Sequence, residues 1–152
     1  MSMLKRNLAG DDRGAAVIEL ALIAPMLALL TIGIVDVSQA FGRKLALEQA
    51  AQRAVEKVMQ TTGNTTPEGT IKAEAATQAG VSQDDVTVVY TLECNGVAEA
   101  DFDTECDPAE TSARYLMVTV AGSYTPMFPA HYFGDDDDKV YHMTATAGVR
   151  TQ

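Results

Sequence analysis

From Ala15 to Val35 the chain is apolar apart from a single ionisable side chain, Glu19. As a helix this run would measure about 31 Å, close to the ~30 Å hydrocarbon core of a bilayer. Pro25 removes one backbone donor within it and is expected to kink or loosen the helix locally. Spanning helices tolerate such a residue. No turn signal follows Val35. The segment Asp36–Gln60 keeps the helical period, with Val37, Ala40, Phe41, Leu47, Ala51, Val55 and Val58 on one stripe. Lys44 and Glu48 interrupt that stripe four residues apart and can pair. The pattern therefore predicts one long helix over 15–60, apolar all round in its first half and amphipathic in its second, ended by Thr61–Asn64.

The pattern changes beyond this point. Thr66-Pro67-Glu68 is a helix start with proline in the first turn, and a short helix over Pro67–Gln78 should stop at Gly80. Alternation of period two then marks three strands. In the first, Val86, Val88, Tyr90 and Leu92 share a face. The second places Leu116, Val118 and Val120 together, and the third Tyr141, Met143, Ala145, Ala147 and Val149. The expected fold class is α+β: the long helix packed on a small three-stranded antiparallel sheet whose apolar side covers the helix stripe. Loops are expected over Asn95–Ala113 and Pro126–Lys139, the latter carrying Asp135–Asp138.

Charge separates the same parts. Of 21 acidic and 11 basic residues, 18 acidic and 8 basic lie from Asp36 onward, so this part holds the net −10. Lys5, Arg6 and Arg13 precede the apolar run, which favours a cytoplasmic N-terminus and export of the acidic part. An acidic exported part argues against nucleic acid or anionic lipid heads as partners. Cys94 and Cys106, an isolated pair in that exported part, read as a disulfide.

No catalytic constellation is present in the sequence. His131 and His142 fall in no metal-ligand or nucleophile pattern, and His142 lies on the polar side of its strand. Asp101, Asp103, Glu105 and Asp107 alternate as calcium ligands can. However, Cys106 and Ser112 stand where an EF-hand loop needs its Gly and closing Glu, so a solvated acidic loop is the expectation. No enzyme activity, cofactor or metal is expected.

The chemistry that remains is at the N-terminus, where a lone carboxylate in a bilayer-length segment is a functional signal in itself. A short polar leader, then Gly14, four residues, Glu19 and an apolar helix, resembles the processing site of type IV pilins and pseudopilins. The stretch Arg13-Gly14-Ala15-Ala16-Val17-Ile18-Glu19-Leu20-Ala21-Leu22-Ile23-Ala24-Pro25 is similar to the opening of TadE-like minor pilins of tight-adherence (Flp/Tad) systems. Phe41–Ala54 and the closing Met143–Arg150 are also similar to theirs. Leu20 and the sizeable head depart from the short major Flp pilin, which typically has Tyr after the Glu, and favour a minor pseudopilin.

The resemblance implies cleavage by a prepilin peptidase between Gly14 and Ala15, leaving Glu19 fifth in the mature chain. It further implies other pilin subunits and an inner-membrane assembly platform as partners. The chain would divide into a leader (1–14), a helix (15–60, of which 15–35 is transmembrane) and an exported periplasmic head (61–152). Two other classes stay open on the residues. Ser38-Gln39-Ala40 could be read by signal peptidase to release a secreted protein starting at Phe41. Alternatively, the chain could be an uncleaved single-span membrane protein.

Overall fold

The computed structural model describes residues 12–60, 67–127 and 140–151. Residues 1–11, residues 61–66 with the helix end expected at Thr61–Asn64, the segment 128–139 with His131 and Asp135–Asp138, and Gln152 lie outside the described residues. Helix α1 runs from Asp12 to Gln60 without interruption, starting three residues earlier than the sequence pattern suggests. Helix α2 spans Glu68–Ala79. The strands are β1 (Val86–Cys94), β2 (Val97–Ala98), β3 (Ser112–Tyr124) and β4 (Tyr141–Arg150). They form one antiparallel sheet in the order β2-β1-β3-β4.

The sheet has four strands rather than the three expected. The extra strand, β2, is two residues long and follows Asn95-Gly96, with φ of 54° and 81°. These left-handed conformations are what a two-residue hairpin needs, because only such a turn matches the twist of the flanking strands. The Asn-Gly signal thus converts part of the expected loop into a hairpin. At the other end of the short helix, Gly80 (φ 63°) closes α2 with left-handed backbone, its N–H returning to the Ala76 carbonyl.

Register across the sheet produces aligned apolar rows. Val86 faces Val120, which faces Ala145; Val88 faces Val118 and then Ala147; Tyr90 faces Leu116 and then Val149. Against these rows α1 buries Leu47, Ala50, Ala51, Ala54 and Val55, and α2 buries Ile71, Ala75, Ala76 and Ala79. Alanine on both helices leaves little side-chain bulk between their axes, so the two helices and the sheet close around one core. The stripe read from sequence is correct from Leu47 to Val58. It fails at Val37 and Phe41, which remain 69% and 67% exposed. Beside them the ends of β3 and β4 stand off from the helix across a groove, and the true buried face also includes Ala50 and Ala54.

Candidate functional site

The first half of α1 projects from the head with its apolar side chains uncovered. Leu22 and Met26 are 70% and 73% exposed, and the most apolar window of the helix has no buried residue. This helix is long and apolar enough to cross a membrane. Its polar atoms are few. Thr31 returns its hydroxyl to the Leu27 carbonyl at 2.8 Å, within the helix itself. Pro25 lies inside the helix, which continues on both sides of it, so the proline costs a ladder bond but not the element. Glu19 is exposed on this surface and has no hydrogen bond or ion pair among the described residues. Gly14 and Ala15 sit in the first turn of α1, and a Cβ added at Gly14 would meet nothing within 4 Å.

The second half of α1 is held to the head by side chains the sequence pattern did not single out. Asp36 is the first ionisable residue after Glu19. Its Oδ1 accepts from the Tyr124 hydroxyl at 2.5 Å and from the Met127 backbone N–H at 2.9 Å. This contact pushes the Tyr124 phenol up to about 12, first because a hydrogen bond to a carboxylate favours the protonated phenol, then through desolvation. Seven residues on, Arg43 donates to the Ala79 carbonyl at 2.5 Å, capping the C-terminal end of α2. Lys44 pairs with Glu48 at 3.5 Å, as the spacing implied, and also donates to the Thr144 carbonyl of β4. Arg53 reaches Gln78 and Lys57 reaches Glu74, each at 2.7 Å. Between these ties, α1 passes so close to β3 that a Cβ on Gly122 would lie 2.9 Å from Leu47 Cδ2.

Cys94 and Cys106 form a disulfide with Cα atoms 5.6 Å apart. The bridge anchors the acidic loop to β1, and two further contacts hold that loop down. Phe102 sits 5.2 Å from the Tyr90 ring, with the Arg114 guanidinium 4.9 Å from its centroid. Asn95 accepts from Thr111 N–H and donates to Glu110, whose other oxygen takes the Asp107 N–H. Among the described residues, the one cluster of candidate metal-ligating atoms is Cys94, Cys106 and Glu110. Its two sulfurs are bonded to each other. The carboxylates of Asp101, Asp103, Glu105 and Asp107 form no such cluster. His142 is exposed on β4, as its strand parity implied.

These features define a class: a long helix, apolar and then amphipathic, carrying a small α+β head on its second half. Residues 14–56 match the family model of TadE-like proteins, a stretch that begins at Gly14 and covers most of α1. The match supports a pilin-like protein associated with a Tad pilus. No curated protein and no solved structure matches the chain.

Proposed function

We propose that this chain is a minor pilin, a structural subunit that supports assembly or priming of a Flp/Tad-type pilus after cleavage between Gly14 and Ala15. The observation that carries the reading is the TadE-like match over 14–56, which contains Glu19 on an otherwise apolar and uncovered helix surface. A buried charge is tolerated when it is paired, and a lone one is strongly unfavourable in hydrocarbon. The amine that cleavage creates at Ala15 is a cation one helical turn from Glu19. In a neighbouring subunit it would serve the same carboxylate and set the axial register between chains.

The partners follow from this reading: a prepilin peptidase, an inner-membrane assembly platform, and other pilin subunits. The orientation follows from the basic leader, with the N-terminus in the cytoplasm and the disulfide-bearing head in the periplasm. A signal-peptidase cut after Ala40 is disfavoured by the fold. It would divide α1 between Asp36 and Arg43, both of which grip the head.

The deciding measurement is the first residue of the mature protein. Co-expression with a cognate prepilin peptidase should shorten the chain to start at Ala15, and a bulky residue at position 14 should block this. A start at Phe41 would establish the secreted alternative. An intact Met1 with active peptidase present would leave a single-span membrane protein.

A further inference from the structure

Where α1 leaves the head there is a groove of about 740 Å³ between the helix and the adjoining ends of β3 and β4. Val37, Phe41 and Lys44 line it from α1, and Tyr124, Pro126 and Tyr141 from the sheet side. Val37, Phe41 and the neighbouring Met127 are 69%, 67% and 66% exposed. The same apolar surface continues without a break into Leu30 and Ile34, which lie in the membrane-length segment.

We propose that this groove is a lipid seat: it takes the glycerol-ester region and upper acyl chain of a phospholipid in the leaflet on the head's side, fixing the head against the membrane. The inference rests on the reading that α1 spans a bilayer, and depth is its main argument. A hydrocarbon core of ~30 Å is filled by about 20 helical residues. With Ala15 at the inner boundary, Asp36 lies at the outer one. Phe41 then stands about 8 Å further out, at the outer edge of the headgroup layer, with Val37 level with the ester carbonyls.

The side chains suit that layer. Tyrosine combines an apolar ring with a polar tip, and lysine an apolar stem with a charged end, which is why both concentrate at membrane interfaces. Lys44 and Asp36 are already engaged with Glu48, Tyr124 and Met127. Asp36 keeps its negative charge beside neutral partners and Lys44 is offset by Glu48, so the groove holds no excess of positive charge to select an anionic headgroup, and a zwitterionic lipid fits it. The helix direction also places the groove correctly. Among the described residues Asp36 ties α1 to the head nearest the membrane-length segment, and the ties at Arg43, Arg53 and Lys57 lie progressively further from the membrane.

The chain has no tryptophan, so single introduced tryptophans report without background. Phe41→Trp, Tyr141→Trp, Leu27→Trp and Val89→Trp would each be made in the full-length protein. Each would be reconstituted at one chain per phosphatidylcholine nanodisc, with lipids brominated either near the headgroup or near the terminal methyl. Positions 41 and 141 should lose about half of their emission to shallow bromines and much less to deep ones. Position 27, mid-span, should show the reverse. Val89, on the opposite face of the sheet, should be unquenched.

Phe41 is already exposed, so its replacement does not put folding at risk. Quenching at 27 with none at 41 or 141 would overturn the lipid seat and leave the span intact. Absence of quenching at 27 would overturn the span and the seat together. If quenching at 41 and 141 disappears when discs hold several chains but not one, the groove belongs to a second copy and the proposal fails.

Discussion

Two carboxylates of α1 show how the surroundings set a residue's role. Asp36 has two donors from the head, whereas Glu19 has none among the described residues. Glu19→Ala should therefore leave membrane insertion intact or improved, since it removes a charge from hydrocarbon. Peptidase processing should persist, yet incorporation into pili, or support of their assembly, should fall. Glu19→Gln, which keeps the shape without the charge, should behave the same way; normal piliation by both at normal protein levels would remove the carboxylate from the assembly mechanism. For Asp36 the readout is spectroscopic. The raised Tyr124 value means that this hydrogen bond contributes fully below the phenol's ordinary value of 10 and is lost as pH climbs through about 12. In Asp36→Asn, ultraviolet titration compared with a Tyr124→Phe control should show Tyr124 ionising closer to its ordinary value. Gly122 is constrained by space rather than charge. A valine there would drive branched carbons into the buried Leu47 and should cost about 1–3 kcal/mol in chemical denaturation.

Among the elements, α2 and the acidic loop each carry a tie that can be cut singly, the Lys57–Glu74 pair and the Cys94–Cys106 bridge. The Lys57 ammonium holds Glu74 below the usual carboxylate range, by hydrogen bond first and then by charge. That contribution to docking α2 on α1 is present above the ordinary carboxylate value of 4.5 and fades as pH falls through the lowered one. An NMR titration of Glu74 should show the depressed value, and Lys57→Met should move it back toward the ordinary one, with Gln78 and Arg53 still lowering it. For the loop, the cross-link closes a separation of 12 residues, a constraint on the unfolded chain on the order of 3 kcal/mol. Replacing both cysteines by serine should lower stability by about that amount. Hydrogen exchange should rise more in 99–111 than in α1, because the loop then keeps only non-covalent ties such as those of Phe102, Asn95 and Arg114. Equal loosening of α1 would show that the bridge stabilises the whole head instead.

At the scale of the molecule, one helix belongs to two environments. Its first half has nothing to bury against among the described residues, and its second half is the spine of the head. On the proposed reading, the basic residues before the apolar run and the acidic head give this rod a direction. In spheroplasts, after mild reduction, a membrane-impermeant maleimide should label Cys94 and Cys106 without lysis. Labelling only after the inner membrane is permeabilised would reverse the proposed topology.

Much of this arrangement was legible in the chain because it depends on local pattern. An apolar run of bilayer length, the change to a one-sided stripe, and three alternating strands each follow from side-chain periodicity, which needs no partner to be read. The cysteine pair and the Gly14–Glu19 spacing are likewise short-range. The β1–β2 hairpin was also written locally, in Asn95-Gly96, though within a stretch whose acidic composition suggests only a loop. Other features depend on where distant segments meet. Asp36 resembles any helix-surface carboxylate until Tyr124 and Met127, 88 and 91 residues away, fold back onto it. Val37 and Phe41 share the periodicity of Leu47, but beside them the ends of β3 and β4 stand off across a groove instead of closing on the helix, so the same pattern is core at one level and open groove at the next. Sequence determined which surfaces were apolar; tertiary structure decided which of them the head covers, because coverage depends on the length and crossing of the sheet and not on the helix alone.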